Sequence, residues 1–173
     1  MAPLDSMKYF LLVVLIVGCG AITFAQERAP QFKDYPARVV PTRRSVKVNI
    51  RSTPDSVCFR TMLRKTAHEG QLFAGRFAVD YWGCGTCIRI GIVDLITGRT
   101  FVTPYEITPS ASDNIVRAKA DSRLLLVAHS EAPGGYVYYL WTGRHLLPIY
   151  DGKVQRRERE RDMLRCSEIK RFG

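Results

Sequence analysis

The segment Trp82-Gly83-Cys84-Gly85-Thr86-Cys87 sits between two runs that alternate with a period of two. Before it, Phe77, Val79 and Tyr81 alternate with Ala78, Asp80 and Trp82; after it, Ile88, Ile90 and Ile92 alternate with Arg89, Gly91 and Val93. Residues i and i+3 of an extended strand lie about 10 Å apart, beyond the roughly 7 Å reach of a disulfide, so Cys84 and Cys87 can pair only if Gly85-Thr86 turns. Glycine at the first position suits a two-residue type II′ hairpin turn. That turn dictates the register: Cys84 opposite Cys87, Trp82 opposite Arg89, Tyr81 opposite Ile90, Val79 opposite Ile92. Val79, Tyr81, Ile90 and Ile92 then share a buried face, and Asp80, Trp82 and Arg89 share the other. Trp82 over Arg89 is an expected cation–π pair.

The same two cysteines have a competing reading as the working dithiol of a thiol–disulfide oxidoreductase. Such a dithiol sits at a helix N-terminus, where the dipole lowers the thiol pKa. The β-branched run Ile88 to Val93 is a poor helix former, and a strand after Cys87 favours the staple. A structural zinc site would need Cys58 and Cys166 as well, and neither belongs to a second paired motif. The expected disulfides are Cys84–Cys87 and Cys58–Cys166. The second would close a loop worth up to about 4–5 kcal/mol in the chain-entropy view. Cys58–Cys84 with Cys87–Cys166, or the swap, stay open.

Turn signals continue downstream every 8 to 12 residues, as antiparallel sheet proteins require. Asp94-Leu95-Ile96-Thr97-Gly98 marks a hairpin turn, with Gly98 at positive φ. Further strands are expected at 99–103, 115–118, 124–129, 136–142 and 145–150. Ser52-Thr53-Pro54-Asp55 is a helix start, with proline at the first helical position, and Gly70 ends that helix. Its apolar side is read as Val57, Cys58 and Met62, its outer face as Arg60, Arg64 and Lys65. The fold class is mainly β: an antiparallel meander of blade-like hairpins over 52–150, with an N-terminal helix and a basic C-terminal helix over 151–173. No fixed-period repeat is visible, so a full propeller does not fit. Residues 26–51 read as a basic, proline-containing arm, with Ser45 to Arg51 able to add an edge strand.

Residues 1–25 read as a signal peptide: Lys8, an apolar run from Tyr9 to Val17, and a small-residue cleavage pattern ending at Ala25. Ile16-Val17-Gly18-Cys19 resembles the lipobox of bacterial lipoproteins, which implies lipidation of Cys19 and a membrane-surface anchor. Export to the periplasm or outer membrane would place the cysteines in an oxidising space. The net charge of +10 is uneven: 26–66 contributes +7, 67–150 is balanced, and 151–173 contributes +3. Basic ends suit an acidic protein or an anionic envelope polymer. They disfavour cationic partners such as animal lysozymes, and no nucleic-acid-binding motif appears.

Phe59-Arg60-Thr61-Met62-Leu63-Arg64, Phe73-Ala74-Gly75-Arg76-Phe77, the cysteine segment and Asp94 to Gly98 together resemble a set of small exported bacterial envelope proteins or lipoproteins of uncharacterised role. The resemblance spans about 60–150 and implies an envelope location without an activity. Members often carry one more residue between the two cysteines. Catalytic constellations are thin. His129, Ser130 and Glu131 are neighbours on one strand and point to opposite faces, so they cannot form one triad. His68 and His145 stand alone. No catalytic residue, metal site or cofactor is assigned. Tyr136, Tyr138 and Leu140 should share one face of a strand, with Tyr139 and Trp141 on the other; the latter pair, with Trp82 and Arg89, is the expected exposed binding surface. The expected function is non-catalytic binding, with the oxidoreductase as the alternative.

Overall fold

Two antiparallel meanders follow one another along the chain. The computed structural model describes residues 28–83, 85–103, 107–109, 114–129, 131–150 and 153–154. The first sheet contains β1 (Gln71–Phe73), β2 (Phe77–Gly83), β3 (Ile88–Asp94) and β4 (Thr100–Val102). The second contains β5 (Val116–Arg117), β6 (Leu124–Ala128), β7 (Tyr136–Trp141), β8 (Leu146–Tyr150) and β9 (Lys153–Val154). Within each sheet every hydrogen-bonded neighbour is also the neighbour in sequence. The mainly β expectation holds. The signal segment, Cys19, Cys84, Ser130 and Cys166 lie outside the described residues. So does the expected C-terminal helix, except Lys153–Val154, which pair as β9 instead.

The β2–β3 register is the one the alternation dictates: Val79 opposite Ile92, Tyr81 opposite Ile90, Trp82 opposite Arg89. Gly85 takes a φ of +92°, open only to glycine at low cost. The inner faces of the sheets pack on each other. Phe73, Val79, Ile90 and Ile92 from the first meet Leu125, Val127, Tyr139 and Trp141 from the second. Each fully buried side chain of this size contributes about 1.5–3 kcal/mol.

The other face of the first sheet is covered by α1 (Arg60–Glu69). Leu63 and Ala67 pack there on Ala78, Val93, Leu95 and Val102. Thr53 and Pro54 open a helical segment as expected, but its first turn, Pro54–Val57, is a 3₁₀ turn. The chain leaves helical geometry at Phe59 before α1 begins. That break rephases the faces and corrects the expected apolar side. Val57 and Met62 are exposed, and Leu63, Thr66 and Ala67 are buried.

The N-terminal arm is a strap across both sheets. Its 3₁₀ turn Phe32–Asp34 hands carbonyls to the turn before β6, where Ser122 Oγ donates to Phe32 O at 2.7 Å. Arg123 N donates to Tyr35 O at 2.8 Å, and Ala37 N to Asp121 O at 2.7 Å. The strap then crosses the β1–β2 turn, where Val40 N donates to Gly75 O at 3.0 Å, and reaches the β3–β4 turn, where Asn49 N donates to Gly98 O at 2.7 Å. A Cβ at Gly75 would lie 2.1 Å from Arg38 O, and one at Gly98 2.0 Å from Lys47 O. Both glycines have positive φ. Val46 and Val48 pack beside α1, but no edge strand forms; Asn49 makes a single bridge with Arg99.

Candidate functional site

The open end of the inter-sheet core forms a cleft of about 460 Å³, within the size range of small-ligand sites. One wall is the entry to the 3₁₀ turn, Ser52 to Asp55. The floor comes from the inner face of the first sheet, with Phe77, Ile92 and Phe101. The far wall is Trp141 and the β7–β8 turn, Gly143 to His145. The floor is aromatic because the register puts Ile92 opposite Phe101, and both on the face that meets Trp141. Trp141 makes edge-on contacts with Phe77 at 5.3 Å and Phe101 at 5.4 Å between ring centroids. Phe101 meets the His145 ring at 90°.

Three arginines line the cleft against two aspartates. Arg76 and Asp94 neutralise each other through an ion pair of 2.9 Å. The other oxygen of the buried Asp94 carboxylate accepts from the N–H groups of Ile96 at 2.9 Å and Thr97 at 3.3 Å, building the turn that the sequence announces. Arg99 and Arg144 make no ion pair among the described residues. Two buried N–H groups of the lining, Arg76 Nε and Trp141 Nε1, have no hydrogen-bond partner. A buried donor without an acceptor costs about 1–3 kcal/mol.

The hydroxyls of this wall are occupied. Thr53 Oγ1 and Ser56 Oγ share a hydrogen bond of 2.6 Å, and Ser56 Oγ and Thr100 Oγ1 one of 2.7 Å. Thr100 Oγ1 also donates to Asn49 O at 3.1 Å, and Ser52 Oγ donates to the same carbonyl at 2.8 Å. Among the described residues none of these hydroxyls is hydrogen-bonded to a histidine or carboxylate that could act as a base. His129 Nδ1 accepts the Glu131 backbone N–H at 3.3 Å. Among the described residues no group of histidine, cysteine and acidic side chains is arranged to hold a metal.

The expected binding surface needs correction. Tyr139 and Trp141 are only 3% and 2% exposed and belong to the core. The partition of β7 into two faces is right, but the inward face is the opposite one. Tyr136 and Tyr138 are the partly exposed pair, and Arg117 lies over the Tyr136 ring at 4.9 Å. Trp82 and Arg89 are half-buried under Phe59. Phe59 packs on Trp82 at 5.2 Å between ring centroids, and the Arg89 cation lies over the Phe59 ring at 5.5 Å. Of the four, only Trp141 reaches the cleft. Cys58 and Cys87 are both in disulfides. Arg76, Arg99, Arg144, Phe77 and Phe101 were not legible as a site, because no local pattern joins residues so far apart in the chain.

No known protein family, curated protein or solved structure matches the chain. Among the described residues no helix is long and apolar enough to cross a membrane.

Proposed function

We propose that the chain is an exported, non-catalytic binding module of the bacterial envelope whose cleft engages an acidic protein partner. The observation that carries this reading is the pair Arg99 and Arg144, two cations at the cleft without ion pairs among the described residues. Such cations steer and orient an acidic partner. Two features support binding over chemistry. The wall hydroxyls are committed to structural hydrogen bonds. Cys87 leads directly into a strand, so no helix N-terminus stands behind it to make a low-pKa thiolate, which weighs against the oxidoreductase.

Biolayer interferometry of the full chain against poly-L-glutamate, polygalacturonate and neutral dextran tests the reading. Binding to poly-L-glutamate should weaken as salt rises and should fall in Arg99→Ala/Arg144→Ala. Preference for polygalacturonate would move the partner to an anionic envelope polymer. Equal retention on dextran would sink the proposal. Lipid anchoring belongs to the same proposal: the native chain should partition into detergent, and Cys19→Ala should not.

A further inference from the structure

We infer that the cleft recognises a carboxylate carried on a flat aromatic group, presented by the acidic partner. The inference rests on the binding reading above and assigns the chemistry of its ligand. The floor supplies the aromatic half. Phe77 and Phe101 are only partly buried, and Trp141 and His145 extend the ring cluster to the far wall. Aromatic clusters of this kind accept another ring edge-on or offset at centroid distances of about 4.5–7 Å. The rim supplies the anion-binding half. Arg99, just before β4, and Arg144, in the β7–β8 turn, both line the cleft, and guanidinium groups bind carboxylates through paired hydrogen bonds.

Arg76 Nε and Trp141 Nε1 are buried donors without acceptors, and both residues line the cleft. The Trp141 indole N–H therefore serves as a reporter of the cleft, since its residue belongs to the lining. The Arg76–Asp94 pair cancels the Asp94 charge, so that Asp55 is the other acidic residue of the lining beside Arg99 and Arg144. A cationic ligand would face these arginines. A plain aliphatic acid would leave the ring floor unused. An aromatic acid uses both halves.

Trp82 provides an internal control. Its indole N–H is also buried and without a partner, but it lies on the opposite face of the first sheet, under α1. The two indole N–H signals in a ¹H–¹⁵N spectrum of the full chain therefore report cleft and non-cleft environments, with Trp82→Phe assigning them. N-acetyl-L-phenylalanine should shift the Trp141 signal and leave that of Trp82 in place. N-acetyl-L-phenylalanine amide, which lacks the charge, and N-acetyl-L-glutamate, which lacks the ring, should bind at least about tenfold more weakly. Arg99→Ala/Arg144→Ala should weaken N-acetyl-L-phenylalanine by a similar factor with both indole signals otherwise native. An unmoved Trp141 signal, or equal binding of acid and amide, overturns the inference. If poly-L-glutamate still binds through Arg99 and Arg144 while the aromatic acid does not, the ligand assignment falls and the binding reading stands. If neither binds, both fall.

Discussion

The Trp82 ring closes over the backbone of Gly91: a methyl group added there would come within 2.5 Å of the indole atom Cζ3 and 3.2 Å of Leu63 Cδ2. The two residues lie on adjacent strands, two pairs apart along the ladder, on the face that α1 covers. A glycine in mid-strand ordinarily weakens a sheet, and here it makes room for the largest side chain on that face. Gly91→Ala should lower stability by about 1–3 kcal/mol, the usual cost of overpacking a filled core. Combined with Trp82→Leu the cost should be less than additive, since the smaller side chain vacates the contact. Urea unfolding of the two single variants and the double variant measures the coupling; additive costs would show that Trp82 is not what excludes the methyl.

The strap makes a separate prediction about three glycines of like backbone. Gly75, Gly98 and Gly143 all have positive φ, but only the first two have strap carbonyls against them; Gly143 has nothing within 4 Å. Gly143→Ala should cost about 1–2 kcal/mol, the left-handed strain alone. Gly75→Ala and Gly98→Ala should cost more and lift the strap. Limited trypsin digestion should then cut faster after Arg38, Arg43, Arg44 and Lys47 in those two variants than in Gly143→Ala.

Asp94 does two jobs with its two oxygens, and two substitutions separate them. Asp94→Asn keeps an oxygen for the Ile96 and Thr97 N–H groups and loses the charge toward Arg76. Because the Arg76 side chain is 41% exposed, that loss should be about 1 kcal/mol or less. Asp94→Ala also strips the turn of its acceptor and should cost about 2–3 kcal/mol. Equal melting temperatures for the two variants would mean that the turn bonds add nothing.

Cys58 and Cys87 should resist alkylation in denaturant until a reductant is added, since both are oxidised. Losing a native disulfide from a small domain costs about 2–5 kcal/mol, so reduction should lower the Tm. Labelling of either residue before reduction, read by peptide mass, would contradict the structure.

The sequence was most legible where one local rule determined everything downstream. Glycine at position 85 and strict alternation on either side together admit one register, and β2 and β3 adopt it. Alternation also separates the two faces of β7, but it does not say which face goes inward. Tyrosine suits either side, and the neighbours that decide, Phe77 and Phe101, come from the other sheet. The sequence shows the strap only as a basic, proline-containing arm, because prolines and basic residues do not say what such an arm docks on. Most of its anchoring bonds are made by its backbone, and the space for it is made by glycines far away. The cleft was hidden for the same reason, being assembled from turns that become neighbours only when the sheets pack.

The strap also sets an order of assembly. Each sheet pairs only sequence neighbours, so its ladder closes over short loops. The bonds of Phe32 and Tyr35 to Ser122 instead span 90 and 87 residues, and loops of that length are the slow ones to close. The two meanders can therefore form before the N-terminal arm docks, and the arm, seated on turns already made, is the first part to leave when the fold opens.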